Sequence, residues 1–155
     1  MCGLKYLVVA LSVALIGCST SRMFEKSLVA EEVKPGPADQ DPPQEFTTTD
    51  SGLKYRILRK SQGKKPTARD KVTVHYKGWL DDKSEFDSSY KNGKPISFPL
   101  NRVIKGWTEG LQLVGEGGMI ELEIPGDLGY GARGVPGTIP PNATLHFLVE
   151  LKKIE

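Results

Sequence analysis

GYGARGVPGTIPP, Gly129 to Pro141, is the stretch on which the reading of this chain turns. Its first six residues fit G-x-G-x-x-G, with Gly129, Gly131 and Gly134 at the spacing of a dinucleotide-phosphate cradle. Such a cradle needs a strand before it and a helix opening at its end, whose free N–H groups receive the phosphate. An alternating strand, Ile120 to Ile124, does precede it. After it comes Val135-Pro136-Gly137-Thr138-Ile139-Pro140-Pro141, and no helix starts and runs through three prolines, each lacking an N–H and clashing with the turn before it. No Lys-Ser/Thr pair is present there to suggest a P-loop. The stretch is a glycine- and proline-stiffened loop, and Tyr130 and Ile139 within it need another reason to be there.

Outward from the loop, the chain alternates with period 2. Leu53, Tyr55 and Ile57 alternate with Lys54, Arg56 and Leu58; Val72, Val74 and Tyr76 with Thr73, His75 and Lys77. Ile120, Leu122 and Ile124 alternate with Glu121 and Glu123, after the turn Gly115-Glu116-Gly117-Gly118. Leu145, Phe147, Val149 and Leu151 alternate with His146, Leu148 and Glu150. One-sided strands suit an antiparallel sheet with one packed and one wet face. That places His75 and His146 on the wet face, exposed. Between the second and third strands, Ile104, Trp107 and Leu111 recur at helical spacing and predict one short helix over Ile104 to Leu113. The class is α+β, one domain from Ser51 to Glu155.

The first 50 residues have a different character. Lys5 and the apolar run Leu7–Ile16 form a signal-peptide pattern too short to span a bilayer, which needs about 20 residues. Leu15-Ile16-Gly17-Cys18 resembles the bacterial lipobox. By that resemblance residues 1–17 are removed and Cys18 is lipidated, and multiple acyl chains anchor stably. Ser19 is not the Asp that resembles an inner-membrane retention signal, so the resemblance favours the outer membrane of a bacterial envelope, facing the periplasm or the cell surface. Cys2 and Cys18 are the only cysteines, so the domain holds itself together without disulfides. Residues 18–50, with KPGPADQDPPQ, have the composition of a semi-extended tether. A net charge of +2 with no basic aromatic-rich patch excludes a nucleic-acid role.

Val74-His75-Tyr76-Lys77-Gly78, Glu85-Phe86-Asp87-Ser88-Ser89, Val103-Ile104-Lys105-Gly106-Trp107, Tyr130-Gly131 and Gly137-Thr138-Ile139-Pro140-Pro141-Asn142-Ala143-Thr144-Leu145 stand in one order and spacing. Together they resemble an FKBP-type peptidyl-prolyl cis–trans isomerase across nearly all of Ser51 to Glu155. The resemblance implies a twisted antiparallel sheet wrapped around one short helix. It implies a pocket with Trp107 as floor, Tyr76, Phe86, Val103, Ile104 and Phe147 as walls, and Ile139 reaching in from the glycine loop. It also implies that the Tyr130 hydroxyl and the Ile104 N–H donate to substrate carbonyls, and that Asp87 sits near Tyr76 at the edge of the pocket. The substrates would be proline-containing polypeptides, with macrolide immunosuppressants as further ligands and no metal or cofactor.

Two positions depart from the family's pattern. Asn92 stands where an arginine often pairs with the aspartate, and Ile96 where many relatives carry a phenylalanine. The intact Tyr76, Phe86, Asp87, Trp107, Tyr130 and Phe147 set favours an active isomerase, while Asn92 keeps alive the rival of a tethered binding module using the same pocket without turnover; no helical dimerisation segment argues against a monomer.

Overall fold

The computed structural model describes residues 33–155; the signal run and Cys18 lie outside the described residues. Two residues, Thr47–Thr48, form β1, which pairs antiparallel with β2, Lys54–Arg59. The other strands are β3 (Lys71–Trp79), β4 (Glu85–Ser88), β5 (Ile96–Pro99), β6 (Met119–Ile124) and β7 (Leu145–Ile154). They make one seven-stranded antiparallel sheet in the order β1-β2-β6-β7-β3-β4. The strand β5 shares β3's outer edge with β4: it takes Lys71–Val74, while β4 takes Lys77–Trp79.

The period-2 pattern places the core. Val72 and Val74 of β3, Ile120, Leu122 and Ile124 of β6, and Leu145, Phe147, Val149 and Leu151 of β7 are all buried on one face. Among the described residues one α-helix, α1 (Lys105–Gly110), lies against that face, with Trp107 inward and Leu111 just beyond its end. The expected helix over Ile104–Leu113 is thus α-helical for six residues and tightens into a 3₁₀ turn at Leu111–Leu113. Packing rather than propensity sustains so short a helix. Two of its six residues are glycines, poor helix formers. They are there for closeness: a Cβ on Gly106 would stand 2.5 Å from Ile124 Cγ2, and one on Gly110 2.7 Å from Leu122 Cδ2.

The wet face is drier than the alternation suggested. His75 is buried, because Tyr90 stacks on its ring at 4.9 Å and 11°. His146 is half-buried, stacked on Trp79 at 5.8 Å and 2.7 Å from the Asp81 carboxylate. Both histidines were expected in solvent; loops folding back over the strands cover them. A bulge at Lys152 interrupts β7 beyond Leu151, and Glu150, on the wet side before it, is buried as well.

The expected tether is extended but not free from Gly36 onward. Asp39 N–H donates to Leu58 C=O at 2.8 Å, and the Asp39 carboxylate accepts from Lys60 N–H at 2.9 Å. Arg59 donates to Pro37 C=O at 2.9 Å, and Arg56 donates to Gln44 C=O at 2.9 Å while lying over the Phe46 ring. The sheet itself begins at Thr47, before the expected boundary at Ser51. A proline-rich segment has little to bury, but its backbone polar groups still need partners, and the sheet's arginines supply them.

One 3₁₀ turn, Gly126–Leu128, leads into the glycine loop and another, Gly131–Arg133, lies within it, with no α-helix. It is closed by a bridge in which Val135 and Ile139 exchange two hydrogen bonds of 2.8 Å. Gly134 enables that closure: its φ is 57°, and a Cβ there would meet Ile139 O at 2.3 Å. The loop is turned back on itself, with no helix end for a phosphate.

Candidate active site

Where α1 meets the sheet, the side chains leave an open cavity of about 470 Å³. Its floor is Trp107, 4% exposed. Three rings meet the indole nearly perpendicularly: Tyr76 at 5.2 Å and 85°, Phe147 at 5.3 Å and 80°, and Phe98 at 5.7 Å and 90°. Phe86 meets Phe147 at 5.5 Å and 87°. Edge-to-face pairs of this kind add about 0.5–1.5 kcal/mol each beyond burial, so the cup is rigid before anything enters. The buried indole Nε1 has no hydrogen-bond partner among the described residues, so packing alone holds the ring.

Val103 and Ile104 form the wall beside the helix. Ile104 caps α1 with its carbonyl, which accepts from Trp107 N–H at 3.0 Å and Thr108 N–H at 3.1 Å. Its own N–H has no acceptor among the described residues, one of the orphan donors every helix start leaves. Tyr130 stands at the rim, 42% exposed, its hydroxyl likewise without a partner among the described residues. At the edge of the cup, the Tyr76 hydroxyl donates to the Asp87 carboxylate. Burial, and the hydrogen bond to this negative neighbour, push the Tyr76 hydroxyl well above the ordinary tyrosine range, so it stays a donor.

Behind Asp87, Ser89 fastens the turn at the end of β4. Fully buried, its hydroxyl accepts from Tyr76 N–H at 2.8 Å and lies 3.0 Å from His75 Nδ1, while its own N–H donates to Tyr76 C=O at 3.0 Å. The same few atoms hold both ends of the Tyr76–Asp87 pair. Among the described residues no basic side chain forms an ion pair with Asp87: Asn92 is exposed in the next turn, and Lys91 pairs with Glu85 at 2.6 Å.

Of the residues named from the sequence, Tyr76, Phe86, Asp87, Val103, Ile104, Trp107, Tyr130 and Phe147 line one cavity. Ile139 does not. It is 6% exposed, packed into the same core cluster as Tyr76, Trp107 and Phe147, beside its bridge to Val135. Two lining residues were missed, Phe98 and Arg102. The signal for Phe98 was present: Ile96 and Phe98 alternate on β5, opposite Val74 and Val72. Ile96 stands where many relatives carry a phenylalanine, and two residues later Phe98 supplies an aromatic wall to the cavity. Arg102 had no sequence signal, since a charged residue in a loop is ordinarily just solvated. Among the described residues, no three His, Cys, Asp or Glu side chains gather where they could hold a metal ion.

A rigid apolar cup with a few polar atoms at its lip suits a ligand with a compact apolar ring and flanking carbonyls. The family model for FKBP-type peptidyl-prolyl cis-trans isomerase matches residues 62–152, and the chain belongs to that family. The probable FKBP-type isomerase FkpA of Neisseria meningitidis is 53% identical over 107 residues, covering 69% of this chain and 39% of the relative. The isomerase Mip of Coxiella burnetii is 43% identical over 135 residues, 87% of this chain and 54% of the relative. The crystal structure of FkpA from Escherichia coli superposes with a TM-score of 0.70 at 48% identity, covering 73% of this chain and 53% of that one. The structure of AtFKBP13 gives 0.67 at 33% identity, covering 72% of this chain and 99% of that one. The chain thus spans about half the length, or less, of the two curated relatives.

Proposed function

We propose that this chain accelerates cis–trans rotation about Xaa-Pro bonds in exported polypeptides, as a folding catalyst tethered to a bacterial envelope through Cys18. The observation that carries the reading is the cup itself: Trp107 boxed by three perpendicular rings, with the Tyr76–Asp87 pair and two donors unpartnered among the described residues at its lip.

The planar Xaa-Pro amide is held by resonance against a rotational barrier of about 18–20 kcal/mol. At the twisted transition state that conjugation is lost and the carbonyl carries less charge. A cup poor in water disfavours the more polar planar amide relative to the twisted one, which is differential binding. The pyrrolidine ring rests on Trp107. The Ile104 N–H and the Tyr130 hydroxyl donate to the flanking carbonyls, and Asp87, held by Tyr76, faces the distorted carbonyl carbon. No nucleophile, proton transfer or cofactor enters the scheme. Each tenfold acceleration needs about 1.4 kcal/mol of differential binding. Macrolides that present a similar ring between carbonyls would occupy the same cup.

The test is exchange of a Xaa-Pro peptide, followed by NMR in the presence of the full chain. Acceleration over background is expected. A peptide that binds without faster exchange would leave a binding module, the reading that Asn92 favours by depriving Asp87 of an arginine partner. The anchor and outer-membrane placement rest on Leu15-Ile16-Gly17-Cys18 and Ser19. Cys18→Ser is expected to release the protein from membranes, and persistent membrane association would refute lipidation. The chain is expected to act as a monomer, checked by sedimentation.

A further inference from the structure

We infer that Arg102 is a specificity-determining residue that favours substrates with an acidic residue next to the proline. The inference rests on the isomerase reading above and names a substrate class for it.

Arg102 ends the 3₁₀ turn Leu100–Arg102, directly before the wall residues Val103 and Ile104. That turn is held at its first residue. Leu100 N–H donates to Asp70 C=O at 3.0 Å, and its carbonyl accepts from Thr108 Oγ1 at 2.6 Å. The backbone that carries Arg102 is therefore fixed to β3's leading turn and to α1. Its side chain is exposed and borders the cavity.

The charges around the cavity are unevenly satisfied. Asp87, the one carboxylate lining it among the described residues, already accepts from Tyr76. Arg102 is the one cation lining it, and among the described residues its guanidinium enters no hydrogen bond or ion pair. Other arginines in the sheet are committed: Arg56 to Glu121 at 2.6 Å, Arg59 to Glu150 at 2.9 Å. A planar guanidinium is weakly hydrated and presents paired donors that match a carboxylate in bidentate fashion. With the proline ring on Trp107, residues flanking it pass over the lip that Arg102 shares. A glutamate there meets an unpaired cation; a lysine there is repelled.

Because the site is open to solvent, the discrimination is small and salt-sensitive, about two- to fivefold in kcat/KM for an exposed pair. The experiment uses the full chain and two peptide series, varying the residue before and the residue after proline among Glu, Gln and Lys. In at least one series the Glu/Lys ratio of kcat/KM should exceed one by that factor at low ionic strength and fall toward one in molar salt. R102K should keep the preference, R102Q should erase it, and R102E should invert it. The ratio is internal to each variant, so a general loss of activity does not affect it, and R102Q guards against a charge reversal that misfolds. A Glu/Lys ratio that R102Q and R102E leave unchanged overturns the role of Arg102 while the isomerase reading stands. No acceleration of any peptide overturns that reading, and this inference with it.

Discussion

Gly36 donates its backbone N–H to the buried carboxylate of Glu150 at 2.8 Å, across 114 residues of sequence. Tyr90 donates its hydroxyl to the same carboxylate at 2.7 Å, and Arg59 pairs with it at 2.9 Å. One acid on the far face of the sheet thus gathers the upstream segment, strand β2 and the turn behind Asp87. Since Tyr90 also stacks on His75, which touches Ser89, that acid underlies the Tyr76–Asp87 pair from behind.

Burial alone would raise the Glu150 pKa, but the donors from Gly36, Tyr90 and Arg59 outweigh it and hold it at about 2, from an ordinary 4.5. A carboxylate depressed in the folded state adds stability above its unfolded pKa and loses it as pH falls through the folded one. The fold is therefore expected to weaken between about pH 4.5 and pH 2, and less steeply in Glu150→Gln. At neutral pH Glu150→Ala, which strands Arg59 and Tyr90, should cost about 3 kcal/mol. Thermal melts across pH check both; parallel pH profiles for wild type and Glu150→Gln would refute the first.

His75 acts in a higher window. Burial lowers its pKa from the ordinary 6.5, so the unfolded chain takes up a proton before the folded one does. Stability should begin to decline as pH drops below about 6.5, before Glu150 titrates. Following the His75 ring resonances by NMR in the folded protein, a midpoint at or above 6.5 would contradict this.

Ser89→Ala removes the acceptor of a buried Tyr76 N–H and a partner of His75. A buried donor left unsatisfied costs about 1–3 kcal/mol. Because the lost bonds hold Asp87 against Tyr76, peptide exchange should slow as well. Denaturant midpoints and exchange rates on the same variant test the pair; full activity at reduced stability would separate Ser89 from the site.

Tyr130→Phe should divide the two properties the other way. The hydroxyl is exposed and unpartnered among the described residues, so stability should change by less than about 0.5 kcal/mol. Loss of one hydrogen bond to substrate, worth roughly 1 kcal/mol, should slow exchange several-fold. Asp87→Ala should also slow it. Unchanged exchange in both variants would remove these residues from the mechanism.

Trp107→Ala empties the floor of the cup and the contact between α1 and the sheet. The expected cost is about 3–5 kcal/mol, read from the denaturant midpoint. Trp107→Leu should recover part of the stability and little of the exchange activity.

Much of this could be read from the chain alone. The alternation of Val72, Val74, Ile120, Leu122, Phe147 and Val149 specified strands and their buried face, because a period of two leaves the backbone one way to bury those side chains. The prolines after Gly134 excluded a phosphate-binding helix outright. Ordered motifs pointed to eight of the residues that line the cavity. What local pattern could not reach was anything made by segments distant in sequence. Glu150 and His75 looked like wet-face residues until residues 36–46 and the Tyr90 turn folded over them. Ile139, expected at the pocket, is buried in the core cluster behind it and is not among the residues that line the cavity. Phe98 and Arg102 became part of the cavity only because β5 shares β3's edge and the turn after it is tied to α1. Alternation records which side of its own strand a residue faces; what covers that side is decided by where the rest of the chain packs.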